Sequence, residues 1–533
     1  MNQAPVAPPP ATTGSNPAPA SSIRVVEVVR IRELLCVAAS MCVADATLFR
    51  GGGFAGWAAM LLALPILLHI GSPARHSLSA TWLFAAAIAF LCARLVWLGS
   101  PLTVCCGLGL LCTFALGRAG RTVHVLESFA YAWCVIPSGL LGLVPYWKQF
   151  QHLAPGISPR WLNVLLPLAA LMLFGFLFVG ANPDLAHALS DNLARWIVQL
   201  EQWLIHTSPA EGLFLCFIAI VTVGLLRPVT ALQELRDSET PQADQRKHSS
   251  FFYVPCRNTM VTVVVLFAIY LVFEFQTLWF REFPSGFYYS GYAHQGAAWL
   301  TVALMVATGM LSLIFRGHLL ADPRRGRLYV LASIWSLENL ILGIAVLNRL
   351  YIYIQFNGMT RMRMIGLLGI ATVIAGFLLV VVKIMQTRSF LWLLRAHLIT
   401  LATACYLYSL APIDWLSTNY NVRRIMAGDL APAVQLSVHP LNPEGLAQAI
   451  RLTDHPEEII AAGIQALLAD ASQRYAPAAS QRHSSHWSDY QLSHQWLVEH
   501  LRANREKWKD SYQDETRRKA DLKRFADFTY QWY

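Results

Sequence analysis

The first residues that suggest chemistry are a carboxylate and an amide side by side in a long apolar run, Glu338 and Asn339. A carboxylate at the centre of a bilayer costs about 2.5–3.5 kcal/mol on insertion scales, and residues that bear this cost are often functional. Glu338 is therefore a candidate for a proton or ion site. The alternative is a neutral or hydrogen-bonded glutamate that holds helices together, with Asn339 assisting it. The sequence leaves both interpretations open.

A second polar stretch spans residues 348–363 and reads Asn-Arg-Leu-Tyr-Ile-Tyr-Ile-Gln-Phe-Asn-Gly-Met-Thr-Arg-Met-Arg. Gly358 is typical of a helix end, and Thr360 is typical of the cap that starts the next helix. Arg361 and Arg363 then fall in the first turn, where the helix dipole makes positive charge unfavourable. We therefore expect them to meet an anionic group, either a lipid phosphate or an acidic residue of a neighbouring loop.

Other charged and aromatic residues near the ends of apolar runs are predicted to share a face with this stretch. Arginine together with tyrosine could grip an anionic headgroup or a glycan phosphate. Loop packing and interfacial anchoring would explain the same residues without a ligand. The set is Glu274, Gln276, Tyr289, Tyr292, Arg349, Arg361 and Arg363. Side chains that snorkel to the interface explain a second, overlapping set near run ends. Its members are Asp45, Arg94, Glu127, Glu274 and Arg395.

The sequence predicts neither a metal site, nor a cofactor, nor a catalytic residue. His483 and His486 lack a carboxylate at a spacing typical of metal ligands. The ten cysteines lie almost entirely in apolar runs without a CxxC pair, as small buried hydrophobes do. No Ser/His/Asp arrangement has supporting context.

The elements that position these residues are predicted to be membrane helices. The chain is 55% hydrophobic and 14% charged, whereas a soluble domain has about 25% charged residues. The net charge of +10 lies among the apolar segments, where basic loops orient helices and contact anionic headgroups. We therefore expect the lipid bilayer as partner, with an anionic lipid or an envelope protein as further candidates, and no nucleic acid.

The hydropathy pattern predicts an all-α polytopic bundle with a small helical soluble domain. Residues 1–22 are predicted to be a disordered tail, 23–410 a transmembrane domain and 411–533 the soluble domain. The transmembrane domain should include an amphipathic surface helix near 184–206 and a polar loop at 228–257. About twelve crossings are expected, near 33–49, 54–71, 79–98, 101–117, 123–147, 161–181, 211–227, 258–280, 293–316, 329–354, 364–386 and 390–410.

Lysine and arginine counts predict the orientation. In the second half, eleven basic residues lie in the loops near 227–257, 316–327 and 383–388, and four lie on the other side. The richer side should be cytoplasmic, which places 411–533 outside the cytoplasm, at the inner membrane of a bacterium. Arg24, Arg30 and Arg32 favour a cytoplasmic N-terminus. With twelve crossings, the two halves disagree by one crossing.

Three segments resemble a family of bacterial multi-pass membrane proteins known as a domain of unknown function, of the 4173/4153 type. They are 273–300, the 349–363 joint with Gly-Met-Thr-Arg-Met-Arg, and Asp-Trp-Leu-Ser-Thr-Asn-Tyr-Asn at 414–421. The family pattern includes Tyr-Ala-x-Tyr-Ala-Arg-Arg-Gly, and the corresponding residues of this chain are 289–296. The chain departs from the pattern at Ser290-Gly291 and at His294-Gln295. The resemblance covers 258–425 best, and a Trp-x-x-x-x-Leu-Ser element near 487–493 is also similar. It implies an architecture and brings no catalytic residues.

Three functions remain open on these observations. The favoured hypothesis is a non-enzymatic envelope scaffold or sensor, whose outward domain receives a partner. The second is a secondary transporter that uses Glu338, although paired repeats with broken helices, which transporters often have, are not evident. The third is a lipid-linked transferase, for which the acidic residues in the outward loops before 411 are sparse.

Overall fold

The structure is a computed structural model that describes residues 29–72, 81–120, 123–153, 208–228, 253–276, 289–314, 324–386, 388–480 and 486–532. Side chains are described in these ranges except at 148–153, 289–298, 312–313, 325 and 476–480. The predicted tail at 1–22, the amphipathic helix near 184–206 and most of the polar loop at 228–257 lie outside the described residues.

The described residues form α-helices with short 3-10 and π turns and contain no strand, which confirms the all-α prediction. The membrane part comprises α1 (Ile31–Ala44), α2 (Phe54–Gly71), α3 (Thr81–Leu98), α4 (Pro101–Arg118), α5 (Val125–Leu153), α6 (Pro209–Leu226), α7 (Tyr253–Glu274), α8 (Tyr289–Ile314), α9 (Arg325–Asn357), α10 (Arg361–Gln386) and α11 (Phe390–Leu410).

Nine of the described helices are long and apolar enough to cross a membrane. They correspond to nine of the twelve predicted runs. The predicted run 33–49 instead forms the 14-residue α1 followed by a π turn over Asp45–Phe49. The run 293–316 lies in α8, where the apolar segment with described side chains is Trp299–Leu311. The run 161–181 lies outside the described part of the chain.

Serine caps start three of the membrane helices. The hydroxyl of Ser100 accepts from Thr103 N, that of Ser208 accepts from Ala210 N, and that of Ser389 accepts from Trp392 N. Proline follows the first two serines at N1, where its missing N–H costs nothing. These local signals fix where a chain leaving a loop re-enters the bilayer.

The membrane helices bury their apolar side chains in two groups. The first helix group, α1 to α6, packs around Leu61, Ile88 and Phe114. The second helix group, α7 to α11, packs around Trp335, Phe377 and Val346. Helix α11 also contacts α3, α4 and α5, so it joins the two groups.

The C-terminal domain is a compact helical unit with its own core. It comprises α12 (Ile413–Met426), α13 (Ala433–Val438), α14 (Pro443–Ala449), α15 (Glu458–Ser480), α16 (Leu492–Ala503), α17 (Lys509–Gln513) and α18 (Glu515–Thr529). Its core holds Ile464, Leu497, Trp508 and Phe525, which are almost fully buried. Trp508 donates to Ser472 Oγ at 3.2 Å, so its indole N–H is satisfied inside this core.

The C-terminal domain lies over one end of the membrane helices, and the start of α1 lies at the other end. Arg227, at the end of α6, pairs with Glu33 in α1, and Arg32 donates to Ser72 O at the end of α2. At the domain end, Gly53 N donates to Ser488 Oγ. Residues 29 and 410 therefore lie at opposite ends of the described membrane helices.

Candidate functional site

The joint between α9 and α10 is built to contact the C-terminal domain. Helix α9 has 33 residues and is about 50 Å long, so it exceeds the roughly 30 Å hydrocarbon core. It ends at Gly358, whose φ of 82° and ψ of −168° suit glycine alone. A Cβ at this position would meet Asn421 Oδ1 at 2.6 Å and Pro432 Cβ at 2.9 Å. The missing side chain therefore lets the domain approach the backbone.

Side chains of the domain satisfy backbone groups at this joint. Asn421 donates to Met359 O at 2.8 Å and accepts from Met359 N at 2.7 Å. Gln435 donates to Asn357 O at 2.7 Å, and Arg424 donates to Ile354 O at 2.9 Å. The last carbonyls of a helix lack partners within the helix. Here the C-terminal domain provides them, so the end of α9 and the domain form one hydrogen-bonded unit.

The two arginines that follow the joint have different partners. Arg361 forms an ion pair with Asp414, so it meets the acidic one of the two expected groups. Asn442 also donates to this carboxylate. Arg363 donates to the Gly358 carbonyl, and its guanidinium carbon lies 3.8 Å from the centre of the Tyr353 ring. A carbonyl and an aromatic face, not a carboxylate, thus stabilise the charge of Arg363.

Glu274 and Arg349 come together, as a buried pair between α7 and α9. Arg349 Nε and Nη2 donate to the two carboxylate oxygens at 2.6 and 2.5 Å, and Tyr270 donates to the same carboxylate at 2.9 Å. The two side chains are 1% and 4% exposed. The pair therefore links two helices, and neither residue lines the cavities described below. Tyr292 lies in the first turn of α8, but its side chain is outside the description.

Glu338 and Asn339 do not form the assisted pair that the sequence suggested. Asn339 is buried and donates to Trp335 O at 2.8 Å, one turn earlier on its own helix. Glu338 is half-buried, and its Oε2 has no hydrogen-bond partner among the described residues. Asn339 therefore stabilises α9 itself, which corrects the hypothesis that it assists Glu338.

The charged residues near run ends form ion pairs, most of them over long range along the chain. Each of these charges is paired with a residue of another element or turn, whether or not it also lies at the interface. The pairs are Glu33–Arg227, Asp45–Arg50–Glu211, Arg94–Glu444, Glu127–Arg395 and Glu274–Arg349. Most partners are 75 to 350 residues apart, so no local pattern could have paired them.

The first helix group also binds the C-terminal domain. Arg94 Nη2 donates to Glu444 Oε2 at 3.1 Å, and Trp97 Nε1 donates to Oε1 at 2.6 Å. Gln491 accepts from Gly99 N at 2.6 Å and donates to Leu95 O at 3.1 Å. Nothing along the sequence pointed to Glu444 or Gln491, because a polar residue in a soluble domain carries no local sign of a membrane-helix partner.

A cavity of about 790 Å³ lies where the joint meets the C-terminal domain. Its polar lining includes Thr360, Arg361, Arg363, Asp414 and His439. Partial desolvation, followed by the nearby charge of Arg363, lowers the pKa of His439 below its ordinary value of 6.5. His439 is therefore neutral at pH 7. The two arginines then outnumber the one carboxylate, so the polar lining carries a net positive charge.

A second cavity of about 760 Å³ is an apolar groove between α8, α10 and α11. It extends along α11 from Phe390 to Tyr408. Met305, Ile365 and Gly369 line both cavities, so the groove continues into the polar cavity. Within the described residues, no three His, Cys, Asp or Glu side chains are grouped to hold a metal ion. His486 contacts Ser488 Oγ at 3.1 Å, while His483 lies outside the description.

A comparison with protein-family models gives a match over residues 78–438 to a domain of unknown function, DUF4153. The chain belongs to this family. The match covers α3 to α11 and the first two helices of the C-terminal domain, and it extends well beyond the 258–425 stretch that carries the resemblance. Neither the comparison with curated proteins nor that with solved structures finds a match.

The DUF4153 region contains the joint, the apolar groove, most of the polar cavity and three residues that bind α9 and α10 to the domain, namely Asp414, Asn421 and Gln435. It ends at Val438, one residue before His439. The contacts of the domain with the first helix group, through Glu444, Ser488 and Gln491, come from the chain after the DUF4153 match. The Trp-x-x-x-x-Leu-Ser element at 487–493, which the sequence linked to the family, also lies beyond it.

Proposed function

We propose that this integral membrane protein is a non-enzymatic scaffold or sensor of a bacterial inner membrane. Its C-terminal domain joins the two helix groups on the outer face and receives an envelope partner there. One observation carries the proposal: the domain makes specific hydrogen bonds and ion pairs to both groups. It binds α3 through Glu444 and Gln491 and the end of α9 through Asn421 and Gln435. A domain connected in this way transmits movement between the groups and the outside.

The charge distribution supports an outward domain. Five arginines of the described membrane part lie at the end that carries the C-terminal domain, namely Arg50, Arg94, Arg349, Arg361 and Arg363. Each has a partner within the protein, as described above. At the opposite end lie Arg30, Arg32, Arg118, Arg257, Arg327 and Arg388, among other basic residues. An excess of basic residues marks the cytoplasmic side.

The carboxylate in the cavity supports a non-enzymatic role. A general base needs a carboxylate free to accept a proton from substrate. Asp414 already accepts hydrogen bonds from Arg361 and Asn442. An ion-paired carboxylate with two donors is a structural element, so the geometry favours binding over catalysis.

A second candidate function is secondary transport through Glu338. The observation in its favour is the carboxylate oxygen without a partner in the middle of α9. Against it, Glu338 lines neither the polar cavity nor the apolar groove described above. A substrate pathway would have to reach this residue by a route that neither cavity provides.

Charge reversal at Arg94 and Glu444 tests the proposed coupling. Arg94→Glu or Glu444→Arg alone should loosen the domain, which hydrogen exchange of α16 (Leu492–Ala503) would report. Each should also abolish rescue of whatever envelope defect a deletion strain shows. The double exchange should restore both. The matched control is the same exchange at the exposed pair Asp470–Arg474, which contacts only its own helix turn. If a single variant loosens the C-terminal domain but still rescues the deletion strain, the proposal is wrong.

A fusion after residue 533 tests the orientation. Alkaline phosphatase is active only outside the cytoplasm, and green fluorescent protein fluoresces when it folds inside. We expect phosphatase activity without fluorescence. A fluorescent, phosphatase-negative fusion would place the domain in the cytoplasm, and the envelope partner would then be excluded.

A further inference from the structure

The polar cavity and the apolar groove together have the shape and chemistry of an amphiphile site. The groove follows α11 from Phe390 to Tyr408, which is about 27 Å at 1.5 Å per residue. The hydrocarbon core of a bilayer is roughly 30 Å thick. The groove is thus longer than one leaflet, which is about half of that thickness, so it has room for one acyl chain. It leads to the polar cavity, which lies at the end of the helices that carries the C-terminal domain.

The lining of the groove is made for hydrocarbon. It consists mainly of leucine and other apolar side chains and of glycines from α8, α10 and α11, with Leu102 of α4; its polar side chains include Thr308, Thr372, His397 and Tyr408. His397 Nδ1 lies 2.9 Å from Leu393 O of its own helix. Both threonine hydroxyls donate to carbonyls of their own helices, at 2.7 and 2.6 Å. Their hydrogen-bonding capacity is thus used locally, and the groove presents an apolar surface that favours an acyl chain.

Glycines open this groove. A Cβ built at Gly309 or Gly369 would have no atom within 4 Å, so the space beside both glycines is empty. Glycine lowers the stability of a helix by about 1 kcal/mol relative to alanine. Both glycines line the groove, so each leaves open space in its wall where a side chain would otherwise stand. Gly369 also lines the polar cavity, so it lies where the two cavities join.

The charge of the polar cavity determines which polar group of an amphiphile can bind there. Arg361 is half-exposed toward it, even though it is paired with Asp414. Arg363 adds a positive charge without a carboxylate partner among its described contacts, which are Tyr353 and the Gly358 carbonyl. With His439 neutral, the lining is net positive and favours an anion. Thr360 supplies a hydroxyl at the same rim.

We propose that the cavity and the groove together bind one anionic phospholipid, with its phosphate headgroup beside Arg361 and one acyl chain along the groove past Gly369. This site does not depend on the scaffold or sensor role, because it follows from the membrane helices and the joint alone. The lipid enters from the bilayer side. Its headgroup lies beside Arg361, the residue that ties α10 to Asp414 of the C-terminal domain.

Native mass spectrometry of the full-length protein in mild detergent tests the site. The probes are phosphatidylglycerol and phosphatidylcholine with identical chains, and glycerol 1-phosphate as the headgroup alone. We expect one phosphatidylglycerol per protein, bound roughly fivefold more tightly than phosphatidylcholine, the effect of about one basic residue near an anionic lipid. Arg361→Gln should remove this preference but keep chain binding.

Gly369→Leu should fill the groove and reduce phosphatidylglycerol binding at least severalfold, without a loss of fold, because the space there is open. The matched control is Gly109→Leu in α4, where a Cβ also has no atom within 4 Å. This control should bind lipid as the wild type does. Thermal melting of both variants reports whether they remain folded.

Four results would overturn the proposal. Equal binding by Gly369→Leu and wild type would exclude the groove. Equal affinity for the two lipids would exclude the anionic headgroup. Binding of glycerol 1-phosphate as tight as that of the lipid would assign the cavity to a free phosphate compound. A dimer that Gly369→Leu dissociates would assign the groove to a second copy of the chain.

Discussion

Arg349 in α9 and Glu274 in α7 form a two-bond ion pair that is almost completely buried in the membrane part, with N–O distances of 2.6 and 2.5 Å. Two charges in a low-dielectric environment are stable only when paired. The pair thus fixes the rotation of α7 against α9 near the end that carries the joint. It transmits the position of α7 to the residues that contact the C-terminal domain.

The first prediction follows from this pair. Glu274→Gln leaves the Arg349 guanidinium buried without its counter-charge, so we expect a destabilisation of about 3–5 kcal/mol, measured as a lower melting temperature in detergent. Replacing both residues, Glu274→Leu with Arg349→Met, should cost less than the single change, because no unpaired charge remains. A double variant less stable than Glu274→Gln would contradict this account.

The second prediction separates a scaffold from a transporter at Glu338. Its Oε2 lacks a partner and Asn339 bonds to its own helix. Glu338→Gln should therefore change the free energy of unfolding by no more than about 0.6 kcal/mol, the average of one interhelical hydrogen bond in a membrane. The melting temperature should accordingly change little. Rescue of a deletion phenotype should persist. Because Asn339 does not depend on this carboxylate, Glu338→Leu should be tolerated as well. A folded Glu338→Gln variant that fails to rescue would favour the transporter.

The third prediction concerns the contact between the turn after α1 and the 3-10 turn Trp487–Asp489. A Cβ on Gly53 would overlap the backbone oxygen of Ser488. Gly53→Val should therefore separate the two, at a cost of about 1–3 kcal/mol for overpacking. Faster hydrogen exchange of α16 would report this. Gly109→Val is the control, since its side chain meets open space. Unchanged exchange in Gly53→Val would show that this contact does not hold the domain.

The fourth prediction is a pH dependence from His439. Its folded pKa lies below its ordinary value of 6.5, because partial desolvation and Arg363 disfavour the charged ring. Below pH 6.5 the unfolded chain binds a proton at this histidine more readily than the folded protein does. The stability that the neutral ring allows above pH 6.5 is therefore lost as the pH falls through the folded pKa. The melting temperature should thus fall between pH 7.5 and pH 5, and less so in His439→Gln. If the melting temperature falls equally in the wild type and in His439→Gln, this histidine has no role in the pH dependence.

The sequence predicts the part of the candidate site whose signal is local. It placed the joint at Gly358 and the cap at Thr360, and it singled out Arg361 and Arg363, all of which line or adjoin the polar cavity. It did not find His439 or the groove. The groove depends on empty space beside Gly309 and Gly369, and nothing along the chain shows that these residues of different helices line the same groove.

The sequence by itself determined that the chain crosses a membrane many times, where most helices begin and end, and that a polar helical domain follows residue 410. Hydropathy and capping act over one helix length, so neighbouring residues are enough to read them. Only the tertiary structure decided that Glu33 meets Arg227 and that Glu444 meets Arg94. Such pairs depend on how whole helices rotate and pack, and because a charge buried in the bilayer needs a partner, that packing fixed which distant residue each one found.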